Sequence, residues 1–413
     1  MKEPQDGTGI TSRDLQIQCD SQSLPYNLFF EYWNQIQTTS TIQRSYVNWK
    51  DRFPQLSSHL FSESEKQELF SRTSYFLWIL SQICTQTSPS LLLKFQSIKD
   101  FHFLFDSSFQ AYVDNPKLLK CSQMIPHYTQ FAEEEMFGHL MNNLLQLSTQ
   151  EEKGMFFTPP HLVEFLLETV SPKQKDHTDY TEITQNTFVD PTCGSGAILT
   201  EIVRNILQQK GTFDTHMKQI LNIYGIDENP VAIFSTFTNI LIKFARKYLK
   251  AEQIQSFVSQ FDSHLLCVDL FSFDDNSDLG LQIPKFNIAL GNLPWNVLNN
   301  IQSPNLRELV KRLAKKHHLF MAWKNQSNLE IATILFEIIR KNLLKDDACM
   351  AFYLPASLLA GTQHAKFRRF PGLGQIREYR IFPDVFPIHT MLFSAIKVQE
   401  DTIDLQKFLP KSV

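Results

Sequence analysis

From residue 187 onward, short apolar runs alternate with amphipathic stretches of helix length, and nothing else in the 413-residue chain constrains the fold so tightly. Strand-like runs fall at 187–190, 222–226, 265–268, 286–290, 349–354, 376–382 and 390–398. Helical patterns fall at 197–209, 230–248 and 329–344. Strands joined through helical crossovers run parallel and stack helices on both faces of their sheet. The expected class is therefore α/β, with a doubly wound sheet of seven strands. The last two runs lie close together, with Val385-Phe386-Pro387 turning between them, which predicts an antiparallel final pair.

The first third of the chain reads differently. Residues 1–20 are polar and expected to be mobile, and residues 21–150 read as a helical domain. Phe29, Phe30, Trp33 and Ile36, then Phe70, Tyr75, Phe76, Trp78, Ile79 and Ile83, recur at three- and four-residue spacings and read as its core. Breaks are expected at 88–90 and 114–116. At Gly154 the character changes, opening a second domain over 151–400, with a tail at 401–413. Phe157-Thr158-Pro159-Pro160 leads into an amphipathic helix at 161–167, with Thr158 a candidate N-cap and Pro159 a candidate first helical residue. A charged linker at 171–185 follows.

Composition narrows the classes of function. Net charge is −4, with 11 basic and 15 acidic residues before position 151, so nucleic-acid contact requires local basic patches. The six cysteines stand far apart with no Cys-x-x-Cys pair, which argues for reduced thiols and against a structural zinc. No metal is expected. The N-terminus lacks the apolar run of a signal peptide, and patches such as 75–80 fall far short of the ~20 residues of a spanning helix. A cytoplasmic protein with no membrane partner is the expectation.

Chemistry-bearing residues gather at strand ends. Asp190-Pro191-Thr192-Cys193-Gly194-Ser195-Gly196 closes the first strand on an acid, and its glycines let backbone approach a ligand at a helix N-terminus. The loop lacks the Gly-Lys of a nucleotide-phosphate loop. The second strand ends on Asp227-Glu228, 37 positions after Asp190, where an acid suits a ribose with two free hydroxyls. The third ends on Asp269, with Leu270 and Phe271 able to line a ring. The fourth ends on Gly291-Asn292-Leu293-Pro294-Trp295: an amide, a proline and a large aromatic. Each feature alone also fits a solvated strand end or a tight turn with a core tryptophan; four in succession point to one ligand-binding edge.

Together these motifs resemble the S-adenosylmethionine-dependent N6-adenine DNA methyltransferases. The order, with Phe157-Thr158-Pro159 first, the glycine loop next and Asn292-Leu293-Pro294-Trp295 later, is similar to the gamma class, which includes type I modification subunits and restriction–modification methylases. The resemblance covers residues 125–398 and implies a Rossmann-like methyltransferase sheet. It implies S-adenosylmethionine as cofactor, its methionine part held by Phe157, Thr158, Pro159 and the loop Asp190, Pro191, Thr192, Cys193, Gly194, Ser195 and Gly196. Asp227 and Glu228 would take the ribose, and Asp269 and Leu270 the adenine ring. Asn292, which also borders the cofactor, would accept hydrogen bonds from the target amino group together with the carbonyl of Leu293, while Pro294 shapes the turn and Trp295 stacks on a flipped base. Leu293 departs from the family pattern, which has proline there. The carbonyl survives the change; the fixed backbone angle does not.

Two basic groups suit DNA phosphates: Lys311, Arg312, Lys315 and Lys316 after the tetrad, and Lys366, Arg368 and Arg369 later. Gamma-class chains carry a sequence-reading domain after the catalytic one, yet only about fifteen residues follow Val398. The expected partners are double-stranded DNA and either a separate specificity subunit or a missing C-terminal target-recognition domain. Methylation of cytosine N4, an RNA base or a protein glutamine, and an inactive scaffold, are the other readings of the same motifs.

Overall fold

The computed structural model describes residues 9–52, 62–87, 116–131, 135–144, 158–170, 173–174, 177–178, 185–274, 283–301, 303–319, 326–370, 372–381, 386 and 388–398. The expected break at 88–90, Phe157, most of the 171–185 linker, Val385, Pro387 and the 401–413 tail lie outside them. Seven strands hydrogen-bond into one mixed sheet: β1 (Phe188–Asp190), β2 (Ile223–Asp227), β3 (Leu265–Cys267), β4 (Phe286–Asn292), β5 (Leu344–Pro355), β6 (Leu373–Ile381) and β7 (Thr390–Lys397). Their order is β3-β2-β1-β4-β5-β7-β6. The pairs β1–β2, β1–β4 and β4–β5 are parallel, and β7 is antiparallel to both β5 and β6. The α/β doubly wound class and the antiparallel final pair are as expected. Strand order reverses between β1 and β4, and in open α/β sheets ligands bind outside the carboxyl ends of the strands at that switch.

The chain divides into two compact units. One comprises Ser148–Cys193, Gln219–Glu228 and Val268–Val413. Within it β1 is buried throughout and β4 nearly so, the signature of strands covered on both faces. β5 begins five residues before the expected strand. Its opening residues Lys345, Asp346 and Asp347 are exposed, and the register with β4 slips between Phe286 and Ile288, so the polar stretch is a bulge. The helix expected at 329–344 is Ile331–Ile338, closing through a π-turn at Ile339–Leu343 into β5. Thr158 is not an N-cap: Pro159 takes that position, with Pro160 in the first turn of the Pro160–Glu168 helix. The proline pair shifts the helix start by one residue, and Thr158 is left for another contact.

The other unit comprises Met1–Leu147, Gly194–Lys218 and Asn229–Cys267. The expected core aromatics are there: Phe29 stacks on Trp33 at 5.8 Å and meets Tyr75 at 5.1 Å and Trp78 at 5.6 Å. Phe30 is only half-buried. The Glu63–Thr87 helix is buried nearly all round from Phe70 to Cys84, because it packs on the equally buried Pro230–Lys247 helix, with Cys84 Sγ 3.4 Å from Thr238 Oγ1. Asn229 caps that second helix by accepting the Val231 N–H at 2.9 Å, Pro230 opens it, and Arg246 and Lys247 stand in its last turn. Among the described residues, no helix is long and apolar enough to cross a membrane.

Candidate active site

The switch between β1 and β4 is assembled from three segments, Thr158, Asp190–Thr192 and Gly291–Asn292. Gly291 lets β4 pass close to β1: a Cβ there would stand 3.1 Å from Asp190 Oδ1, 3.4 Å from Pro191 and 3.5 Å from Phe352. The next residue, Asn292, is held at both ends. Its Nδ2 donates to Thr158 Oγ1 at 3.3 Å, and its carbonyl accepts the Thr192 hydroxyl at 3.1 Å. Thr158, released from capping, is thus turned to the amide. Thr192, two residues past β1, ties the loop to the tetrad across 100 positions of sequence.

Asp190 is 2 % exposed and accepts the Thr192 N–H at 3.2 Å. Burial pushes its carboxyl up to about 8 against that hydrogen bond, and the Asp227 charge adds to the rise. Asp227 ends β2 half-buried, and its carbonyl accepts the Val268 N–H at 3.0 Å; Glu228 beside it is exposed. Asp269 Oδ1 caps the short Leu270–Phe273 helix by accepting the Phe271 N–H at 2.9 Å, and Leu270 and Phe271 are buried beneath it.

The rest of the tetrad is packed. Leu293, which stands where the family pattern has proline, is 1 % exposed. Trp295 is buried, edge to face with Phe386 at 4.7 Å, and its Nε1 donates to the Tyr353 carbonyl at 3.3 Å. Tyr353 was not singled out from sequence, where it is one residue of an apolar strand. It pairs with Asn292 in the β4–β5 register, and its hydroxyl donates to the Leu162 carbonyl at 2.7 Å. One buried tyrosine therefore ties the Pro160–Glu168 helix to the tetrad. Glu330 likewise carries no signal in the sequence. Its backbone bridges Val297, Ser357 Oγ donates to its carboxyl at 3.4 Å, and burial pushes that carboxyl up to about 7.

Gly194 and Gly196 have positive φ, 55° and 92°, which favours glycine. A Cβ on Gly194 would meet nothing within 4 Å, whereas one on Gly196 would strike Thr236 Oγ1 at 2.8 Å. A side chain at 194 would enter open space; one at 196 would be pressed against a helix.

The basic candidates divide. On the Pro304–Lys316 helix, Val310, Leu313 and Ala314 face inward and Arg312 and Lys315 are exposed. Lys311 pairs with Glu308 at 2.7 Å, and Lys316 with Asp274 at 3.0 Å. Arg368 donates to the Leu358 and Gly361 carbonyls at 3.0 and 2.6 Å, while Lys366 is half-buried and Arg369 exposed.

No curated protein sequence matches the chain. Its fold resembles that of a DrdV–DNA complex, at 11% identity and TM-score 0.62, over 94% of this chain and 41% of that one. It also resembles two Type ISP restriction-modification enzymes: LlaGI with a DNA substrate mimic (12% identity, TM-score 0.56, 96% and 35% covered) and LlaBIII bound to DNA (11%, 0.55, 94% and 28%). The chain therefore spans less than half the length of each of these structures. The N-6 DNA methylase profile matches residues 132–360, more than half of the sequence and including every strand-end residue described above. The chain belongs to the N-6 DNA methylase family.

Proposed function

We propose that the protein transfers a methyl group from S-adenosylmethionine to the N6 amino group of adenine in double-stranded DNA, as the modification component of a restriction–modification or defence system. The observation that carries this reading is Asn292 at the β1–β4 switch, fixed through its amide nitrogen by Thr158 and through its carbonyl by Thr192. An amide so anchored presents Oδ1 as a preset acceptor. With the Leu293 carbonyl it would take both hydrogens of an amino group, raising electron density on nitrogen and aiming its lone pair. When bound, S-adenosylmethionine supplies the methyl group.

The chain's residues fit that cofactor. The backbone at Gly194 borders open space that a Cβ would enter, and Asp190 offers a buried carboxyl to a cationic ligand. In this reading Thr158, Pro159 and the Asp190–Gly196 loop hold the methionine part, Asp227 and Glu228 the ribose, and Asp269 and Leu270 the adenine ring. Phe157, Cys193 and Ser195 belong to the same segments. A base stacking on Trp295 requires Phe386 to move, since that ring is packed here. Exposed Lys315 and Arg369 are the residues offered to phosphates, with Arg312 exposed on the same helix as Lys315. Sequence choice falls to a separate specificity subunit or to a C-terminal target-recognition domain.

The test is transfer from labelled S-adenosylmethionine by purified protein, with and without the product of a neighbouring gene. Label recovered as N6-methyladenine in DNA is the expected result. Label in cytosine, RNA or protein glutamine overturns the substrate, and cofactor binding with no transfer to any of them overturns catalysis.

A further inference from the structure

The glycine loop is oriented from behind by one helix. Thr236 and Asn239, three residues apart on the Pro230–Lys247 helix, share a face. Thr236 Oγ1 donates to the Gly194 carbonyl at 2.8 Å, and Asn239 Nδ2 donates to the Ser195 carbonyl at 2.9 Å. The approach is so close that only glycine fits at 196. No cis peptide is present among the described residues, and in a trans peptide the N–H lies opposite the carbonyl. Pulling the 194 and 195 carbonyls toward the helix therefore turns the Ser195 and Gly196 N–H groups away from it, side by side. Successive N–H groups so arranged form a concave donor for anions.

Asn239 is itself held. Its Nδ2 also donates to Glu135 Oε1 at 2.9 Å, and its Oδ1 accepts the Met136 N–H at 3.0 Å. Glu135 is 6 % exposed and takes the Phe137 N–H at 2.7 Å and the Gly138 N–H at 2.9 and 3.0 Å. An amide with both ends occupied cannot flip, so the Ser195 carbonyl meets a donor and never the amide oxygen.

We propose that Thr236, Asn239 and Glu135 are positioning residues that preset the Ser195 and Gly196 N–H groups for the carboxylate of the cofactor's methionine part. The proposal deepens the methyltransferase reading above and depends on it for the identity of the ligand. Loss of one neutral hydrogen bond behind the loop is expected to weaken S-adenosylmethionine binding about five- to tenfold.

The decisive variant is Thr236→Val, which keeps shape and removes only the hydroxyl. Calorimetric Kd should rise about five- to tenfold, and Thr236→Ser should restore it to within about twofold. Ser235→Ala is the control: that hydroxyl is equally buried but donates back to Val231 of its own helix at 2.8 Å. It should leave Kd within about twofold of wild type. Without ligand, amide order parameters at Ser195 and Gly196 should fall in Thr236→Val from about 0.85 toward 0.6. A Thr236→Val protein with unchanged order parameters and unchanged Kd overturns the proposal. If wild type fails to bind S-adenosylmethionine, the methyltransferase reading falls and takes the ligand's identity with it. The ligand-free order parameters still decide whether the helix orients the loop.

Discussion

The strand-end residues and the basic segments were singled out by similar sequence arguments, yet the fold treats them differently. Asp190, Thr192 and Asn292, with Thr158, converge because parallel strands adjacent in the sheet end on the same side, at the switch between β1 and β4. The basic residues obey no such geometric rule. Lys316 turns to Asp274, Lys311 to Glu308, and Arg368 to two carbonyls of its own loop. A residue's place at a strand end limits where its side chain can go. A charge on a helix face is free to find whatever partner lies within reach.

The largest effect expected from breaking this comparison is at Asn292. Asn292→Ala removes the preset acceptor and should lower the methyl-transfer rate by about 10²–10³-fold, the scale of losing one positioned polar group. Cofactor affinity, measured by calorimetry, should stay within about threefold of wild type. Retained transfer would remove Asn292 from its role.

Asp190 should show itself through pH. Its folded pKa is raised, so its contribution to stability is complete below the unfolded value near 3.8 and is lost as pH rises through about 8. Thermal melts of ligand-free wild type should therefore fall over that window relative to Asp190→Asn. A cationic ligand favours the carboxylate, so S-adenosylmethionine affinity should strengthen as pH rises toward 8, and the variant should lose that dependence. A wild-type profile parallel to that of Asp190→Asn would contradict the buried-acid account.

The basic residues should separate by what they measure. Arg368→Ala takes the side-chain donor from the Leu358 carbonyl and leaves the Gly361 carbonyl only the His364 N–H, and should cost about 1–3 kcal/mol in denaturant unfolding. Lys315→Ala, at an exposed position, should leave stability within about 0.5 kcal/mol. It should lower DNA affinity with a salt slope shallower by about 0.9. Equal effects of the two on DNA binding would erase the distinction between a cation bound within its own fold and one left to solvent.

Much of this was legible in one dimension. Periodicity gave the strand–helix alternation, and Asp190 and Asn292, read at strand ends, stand beside each other at the β1–β4 switch. Bulges and caps were less legible. The polar start of β5 reads as a loop because Lys345, Asp346 and Asp347 are charged, and only the pairing of Leu344 with Phe286 ahead of them makes the stretch a bulge within the strand. Thr158 reads as an N-cap because nothing in the sequence announces a partner 134 positions away.

The sequence by itself determined the α/β class, the antiparallel close of the sheet and the membership in a methylase family, because periodicity, each motif and the order of the motifs are all written along the chain. Tertiary structure alone decided that Leu293 is buried, that Tyr353 joins the Pro160–Glu168 helix to the tetrad, and that Thr236 and Asn239 hold the glycine loop from behind. Each of those rests on a contact between residues distant in the chain, and such contacts exist only once the sheet has set which elements lie side by side.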